Sequence, residues 1–246
     1  MGSLQNFLYR NPAVYDMVFP DRVSSKFFLR ALEIYGPRSP RSVLDLGCGT
    51  GNTLDVLART IPECTGLDML PGMIEYGQRK RPKLDLRVGD MRTARLDKKF
   101  DGIGCFGWAF SYNLTDQDIN SSLETFRFHA HQGTVLAFDC GHAAPYFQQG
   151  DFKPTLTEVA MPDFQGKAMA TFQLEREGCI LKRKRQWEIP GQEPIEDYCE
   201  YRLHFPEELR KKLEAAGFEV LELAGDPEGT ELAPGEKTLY CVALKK

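Results

Sequence analysis

VLDLGCGTGNT, residues 43–53, reads as a buried strand, a turn with glycines at 47, 49 and 51, and the first residues of a helix. Three glycines between strand and helix let the backbone turn tightly and admit a ligand where a Cβ would stand in the way. A glycine loop at this place is shared with dinucleotide-binding enzymes, which space it G-x-G-x-x-G. The spacing here is G-x-G-x-G. On its own the loop therefore indicates a nucleoside-bearing cofactor on an α/β sheet.

Downstream of the loop, strand-length apolar runs alternate with helix-length segments: SVLDLG, CTGLDM, LDLRVG, FDGIGCF and GTVLAFDC. That alternation is the mark of a parallel sheet wrapped by helices, and a nearly continuous run such as GTVLAF belongs to a strand covered on both faces. Upstream, Val23–Tyr35 places Phe28, Ala31, Leu32 and Tyr35 on one side of a helix. After Gly141 the pattern changes to alternation broken by Pro and Gly, in TLTEVAMP, KAMATFQLEREG, CILKRKRQWEIP and DYCEYRLHF, as in antiparallel strands. PEELRKKLEAAG then reads as a helix from Pro206 stopped by Gly217, followed by strands FEVLEL and TLYCVAL. The expected fold is α/β, a doubly wound, mostly parallel seven-stranded sheet with an antiparallel β insertion before the last helix and strands. Its expected parts are an N-terminal helical lid (1–40), a cofactor-binding core (41–141 and 205–246) and the insertion (142–204) over the substrate.

Composition narrows the function. The chain has 246 residues, 42% hydrophobic and 27% charged, without an apolar run approaching the roughly 20 residues of a membrane span. Its N-terminus lacks the pattern of a secretory signal and is expected to belong to the fold. A net charge of −4 argues against a dedicated nucleic-acid binder and makes a small molecule the default partner. Two basic runs, 78–83 and 181–187, are expected on solvated faces. Seven scattered cysteines without a C-x-x-C pair suggest neither a disulfide framework nor a metal site, and fit a reducing cytoplasm. A homo-oligomer is compatible with all of this.

Acidic residues at the strand ends refine the ligand. Asp68 ends the second strand at the roughly 20-residue separation from the glycines where a carboxylate meets ribose hydroxyls. Asp90 and Met91 end the third strand, and Cys105 and Phe106 the fourth, along the sheet edge where such folds bind ligands.

Taken in order, VLDLGCGTG, GLDMLPGM and VGDMR resemble the successive cofactor motifs of class I S-adenosylmethionine-dependent methyltransferases, over Val43–Asp139. The resemblance implies a Rossmann-like sheet with S-adenosylmethionine as cofactor and S-adenosylhomocysteine as product. It implies that Asp45, Gly47, Gly49 and Gly51 serve the methionine part, Asp68 the ribose, and Asp90 and Met91 the adenine. Met69 and Met73 would be apolar neighbours, and Cys105 and Phe106 complete the cofactor set.

For the acceptor, NPAVYDMVFP resembles a Y-D-x-x-Y opening, and GDMRTARLDKKFD and HFPEELRKKLEAAGFEV resemble regions of bacterial aminosugar and natural-product N-methyltransferases. The chain departs from that pattern at Phe19 and in HAHQGTV from His129, which replaces a K-P-G-G turn. The resemblance implies an N-terminal tyrosine helix closing over the cofactor, with Tyr15 at the motif position and Tyr9 one to two turns earlier. Tyr9, Tyr15, Tyr112 and His142 are the catalytic candidates. Trp108, Phe110 and Ser111 in CFGWAFSYN, with Tyr201, Arg202 and His204, are the acceptor-binding candidates. Each has a plainer reading: core packing for Trp108 and Phe110, an anchor for the N-terminal tyrosines, a structural role for His142. For Arg202 it is an ion pair with the acidic neighbourhood of Glu196, Asp197 and Glu200. An amine acceptor is favoured, because methyl transfer to nitrogen asks for positioning and cation stabilisation more than for a strong base. The alternatives are an O-methyltransferase using His142 as base, a non-catalytic S-adenosylmethionine-binding protein, a dehydrogenase, and a nucleic-acid adenine methyltransferase. The last would carry N/D-P-P-Y/F where this chain has CFGW.

Overall fold

The computed structural model describes residues 6–21, 23–149 and 152–246. Two short helices open it, α1 (Phe7–Arg10) and α2 (Pro12–Val18). They are separate because Pro12 has no N–H to continue α1 but suits the first turn of a new helix. α3 (Ser24–Tyr35) follows the sequence reading within a residue and buries Phe27, Phe28, Ala31 and Leu32.

The central layer then alternates as the sequence indicates: β1 (Ser42–Leu46), α4 (Asn52–Leu57), β2 (Glu63–Asp68), α5 (Pro71–Lys80), β3 (Asp85–Val88), β4 (Phe100–Cys105), α6 (Asp116–His129) and β5 (Ala130–His142). A short 3₁₀ turn, Ala109–Tyr112, lies between β4 and α6. Thr115 and Asp118 form a reciprocal cap that fixes where α6 begins. β1 to β5 are parallel in the order β3-β2-β1-β4-β5, with Leu44 beside both Thr65 and Ile103.

After α7 (Ala143–Gln148) come four antiparallel strands, β6 (Thr155–Met161), β7 (Phe164–Glu175), β8 (Ile180–Glu188) and β9 (Ile195–His204). α8 (Pro206–Ala215), β10 (Phe218–Ala224) and β11 (Thr238–Lys245) complete the chain, with β11 antiparallel to both β5 and β10. The central sheet is thus the expected seven strands, β3-β2-β1-β4-β5-β11-β10.

Both faces of that sheet are covered, which explains its unbroken apolar strands. In β5, Leu136, Phe138 and Cys140 join the core beneath α6 and α8, while Val135 and Ala137 pack with Phe27, Phe28 and Leu32 of α3.

The structure divides the chain differently from the sequence reading at three points. α3 packs in the core, so among the described residues of 1–40 only α1 and α2 border the cavity at the carboxyl ends of the strands. β5 continues through His142, and the insertion begins with α7. The insertion also pairs directly with β5, at Gly141↔Leu203 and His142↔His204, joining all strands into one eleven-stranded sheet. No helix among the described residues is long and apolar enough to cross a membrane.

Candidate active site

The carboxyl ends of β1 to β4 open into a cavity of about 350 Å³, within the usual range for small ligands, closed on one side by α1 and α2 and on another by β9. Gly47 and Gly49 line it, and both hold left-handed backbone (φ +81° and +57°) that a side chain rarely adopts. A Cβ on Gly47 would lie 2.7 Å from the Cβ of Ala109. Gly51 does something else: its absent Cβ would meet Leu86 at 3.1 Å, so it permits close packing of the loop on β3 and does not face the cavity.

Asp68 lines the cavity and is held by two backbone donors, Gly49 N–H to Oδ2 and Leu70 N–H to Oδ1, both 2.9 Å. Burial raises its pKa, and these two bonds oppose the rise. Asp45 is buried beneath the loop, with Oδ1 lacking a hydrogen-bond partner among the described residues. Burial, with Asp21, Asp68 and Asp139 adding repulsion, pushes its carboxyl up to about 7. Met69, Met73, Met91 and Phe106 supply apolar wall, whereas Cys105 is fully buried behind it. Asp90 also lines the cavity, and Arg92 beside it at 2.6 Å holds its carboxyl below the usual range.

At the other end stand phenols. Tyr9 of α1 and Tyr112 share a hydrogen bond of 2.9 Å between their hydroxyls, and the Tyr112 hydroxyl lies 3.5 Å from that of Tyr201. The Tyr15 ring is 5.9 Å from that of Tyr9, and both line the cavity with Tyr112. Burial raises all three phenols, with neighbouring tyrosines or carboxylates adding to it, so they stay protonated.

Several candidates lie elsewhere. Phe110 is core, its ring tilted against those of Phe126 and Phe138. The Ser111 hydroxyl accepts from Gly141 N–H, so it ties the 3₁₀ turn to β5. Trp108 packs edge-on against Tyr201 and donates to Thr238 at 3.2 Å, behind the cavity wall. His142 points its Nδ1 to the Glu236 carbonyl at 2.7 Å, outside the cavity. His204 is buried beside Phe110, where desolvation pushes it down to about 3 and keeps it neutral. Arg202 does pair with acids, but these are Asp116 and Glu208, each at 3.6 Å. Its neighbourhood in sequence is not its neighbourhood in space.

The first basic run, 78–83, lies on a solvated face as expected except at Arg81, and the second, 181–187, departs at Arg183 and Arg185. Arg81 is only 8% exposed and, with Lys80, grips the buried Asp16 of α2, which also accepts from the Thr50 hydroxyl of the glycine loop. Burial opposes ionisation of Asp16, but its bonds from Lys80 and Thr50 and the charge of Arg81 hold its carboxyl below the usual range. Arg185 is buried against Asp197, and Arg183 lies 5.4 Å from the Tyr201 ring centre with Nη2 donating to Cys199 Sγ at 3.2 Å. Lys182, Lys184 and Gln186 behave as the alternating strand suggests, turning outward from β8.

The site also contains residues that sequence reasoning passed over. Asp139, at the end of β5, accepts from the Gly107 and Trp108 amides and so shapes the loop after β4. Asn113, Thr115, Asp118, Tyr198, Cys199 and Glu200 line the cavity. The Thr115–Asp118 cap was legible as a helix start; nothing local marks the β9 residues.

Residues 43–133 match the model of a methyltransferase domain. The chain is 25% identical over 199 residues (79% of this chain, 82% of the relative) to dTDP-3-amino-3,4,6-trideoxy-alpha-D-glucopyranose N,N-dimethyltransferase of Streptomyces venezuelae. It is 24% identical over 199 residues (79% and 76%) to the dTDP-3-amino-3,6-dideoxy-alpha-D-glucopyranose N,N-dimethyltransferase of Streptomyces fradiae. Among solved structures it is similar to an S-adenosylmethionine-dependent methyltransferase of Clostridium acetobutylicum, with TM-score 0.82, 17% identity and 98% and 99% of the two chains covered. An S-adenosylmethionine-bound amino pentose methyltransferase of Micromonospora echinaspora superposes with TM-score 0.75, 21% identity and 100% coverage of both chains.

Proposed function

We propose that this chain, a class I S-adenosylmethionine-dependent methyltransferase, methylates the amine nitrogen of an aminosugar or similar small natural-product intermediate. The observation that carries the acceptor reading is the phenol cluster, Tyr9, Tyr15 and Tyr112, brought by three separate segments to one end of the cavity that the glycine loop and Asp68 open. The named activities of the curated relatives support the same acceptor class.

The residues present fit the cofactor. Gly47 and Gly49 leave backbone where side chains would fill the cradle, Asp68 presents a buried carboxylate for two ribose hydroxyls, and Asp90 and Met91 flank the adenine end. Asp45 lies beneath the glycine loop and not in the cavity lining, and its unpartnered Oδ1 is the oxygen assigned to the ammonium of the methionine part. When bound, S-adenosylmethionine supplies an electrophilic methyl on a sulfonium centre. The protein's share is to hold the amine lone pair in line with that methyl and to receive the cation that forms. Neutral phenols do both, since their oxygens accept from the amine N–H and their ring faces attract positive charge. An O-methyl acceptor would need a pKa-matched base, and His142 is turned away from the cavity.

α1 and α2 act as the lid in this reading, fastened by Asp16 to Thr50 and Arg81, and β6–β9 roof the acceptor end. All seven cysteines are free, and all but Cys179 are buried, which supports a reducing compartment.

Calorimetry with S-adenosylmethionine, followed by an acceptor screen with amines and phenols in parallel read by S-adenosylhomocysteine formation, tests the reading. Saturable binding and turnover of amines are expected; absence of binding to folded protein overturns it. Tyr9→Phe and Tyr15→Phe are each expected to lower kcat by about tenfold while changing cofactor affinity less than about twofold. Wild-type kinetics in both would leave these tyrosines as packing residues.

Asp45 adds a pH signature. Its folded pKa is raised, so between the unfolded value near 3.9 and about 7 the ligand-free fold binds the extra proton and loses stability as pH rises. A cofactor ammonium beside it would draw that proton off. Titrations at about pH 6 in buffers of different ionisation enthalpy should show proton release on binding, absent in Asp45→Asn. Equal heats across buffers would place the ammonium elsewhere.

A further inference from the structure

α2 has two unlike sides. The helical period groups Val14, Tyr15 and Val18, and these pack in one apolar cluster with Val159, Met161, Phe164 and Ile195 of the insertion. α1 joins the same cluster through Phe7 and Leu8, and the Phe7 amide donates to Asp197 of β9. Asp16 is turned the other way, towards the cofactor half. Its Oδ2 accepts from Lys80 Nζ at 2.8 Å and from Arg81 Nη2 at 3.0 Å, and its Oδ1 from the Thr50 hydroxyl. Arg81 Nη1 donates in turn to the Thr50 carbonyl at 3.2 Å, and Asn52 Nδ2 to the Phe19 carbonyl at 3.0 Å. α2 is thus joined to the insertion by apolar packing and to the glycine loop by a polar, charged seam.

The two joints respond differently to water. Charges that separate into solvent recover their hydration, whereas apolar surface that separates loses its burial. Lys80, with 49% of its side chain exposed, already gives solvent a way into the seam. The seam is therefore the joint that parts at lower cost.

What it closes is the cofactor cradle. A Cβ on Gly49 would lie 3.5 Å from Tyr15 Cε1 and 3.6 Å from its hydroxyl, so Tyr15 stands over the loop while the seam is made. We propose that this seam is the gate for cofactor exchange: S-adenosylmethionine enters and S-adenosylhomocysteine leaves when Asp16 parts from Thr50, Lys80 and Arg81, with α1 and α2 staying on the insertion. This rests on the cofactor reading above.

The test is stopped-flow measurement of S-adenosylhomocysteine association and dissociation with the full chain. A gate passed in both directions speeds both rates together when it is loosened, and leaves affinity nearly unchanged. Asp16→Asn is expected to raise each rate about tenfold with Kd within about threefold of wild type. Lys80→Met removes the exposed cation and leaves Asp16 with Arg81. It should raise both rates about threefold with Tm within about 2 °C, and so decides the matter if Asp16→Asn does not fold. In wild type both rates should rise about threefold from about 0.05 to about 0.5 M salt, a dependence that Asp16→Asn should lose. Val14→Ala, in the apolar joint, should leave both rates within about twofold.

Unchanged rates in Asp16→Asn and Lys80→Met overturn the proposal, because the cofactor then passes elsewhere. A rise in dissociation alone, with affinity weakened to match, also overturns it and makes Asp16 a support of the bound ligand. Val14→Ala speeding exchange as much as Asp16→Asn would show the lid leaving the insertion instead. Absence of any binding to folded wild type overturns the cofactor reading and the gate with it, whereas binding with unmoved rates overturns the gate alone.

Discussion

Asp68→Ala is expected to weaken S-adenosylmethionine binding by about a hundredfold, or ~2.7 kcal/mol. Bonds to a charged acceptor contribute about 1.5–3 kcal/mol each, and the variant removes the carboxylate proposed to receive two ribose hydroxyls. It also frees the Gly49 and Leu70 amides, whose bonds to Asp68 hold the glycine loop against the end of β2. Asp68→Asn keeps one acceptor oxygen and should lose only about tenfold. Calorimetry on both variants, with melting temperature as the control for folding, separates ligand contact from loop support. Asp68→Ala binding within about threefold of wild type would place the ribose elsewhere.

The largest loss of stability is expected from Asp197→Ala. Asp197 is fully buried and accepts from Arg185, from the Trp187 indole at 2.9 Å and from the Phe7 amide at 3.3 Å, while Arg185 also reaches Asn6. Removing it strands a guanidinium that is 8% exposed, and breaking one side of a buried pair costs about 3–5 kcal/mol. For a chain of this length that corresponds to a fall in Tm of roughly 6–20 °C. Removing both charges, Arg185→Met with Asp197→Leu, should recover much of the loss, because no buried ion is then left alone. The same contact anchors the start of α1, so Asp197→Ala should also raise KM for the acceptor by misplacing Tyr9. A fall in Tm of less than about 2 °C would show that water reaches the cluster and screens it.

How far the sequence could be read depends on the range of the interactions involved. The strand–loop–helix at 43–53, the five parallel strands, α3, and the end of the insertion at Pro206 all follow from backbone conformation and side-chain period. These are set by residues within a few positions of each other. The two acids proposed for the cofactor were legible for the same reason: Asp68 ends β2 and Asp90 follows β3 by two residues, and the period that marks a strand also marks its end. Gly51 was misread because its positive φ is local, but what its missing Cβ would touch, Leu84 and Leu86, is not.

Charge was the least legible feature. A basic run in a chain has no local sign of burial, and Arg81, Arg183 and Arg185 turn inward because their partners arrive from far along the sequence. Asp16 meets Arg81 across 65 positions, and Asp197 meets Phe7 across 190. The strand period gave β8 two faces, and only the tertiary packing of α1 and β9 decided that the arginine face was the inner one. The same holds for the acceptor end. The sequence by itself determined the sheet, the glycine loop and the acid that ends β2, because each is written in local conformation. The phenol cluster and the inward turn of Arg81, Arg183 and Arg185 were decided by the tertiary structure, because each joins segments that meet only when folded.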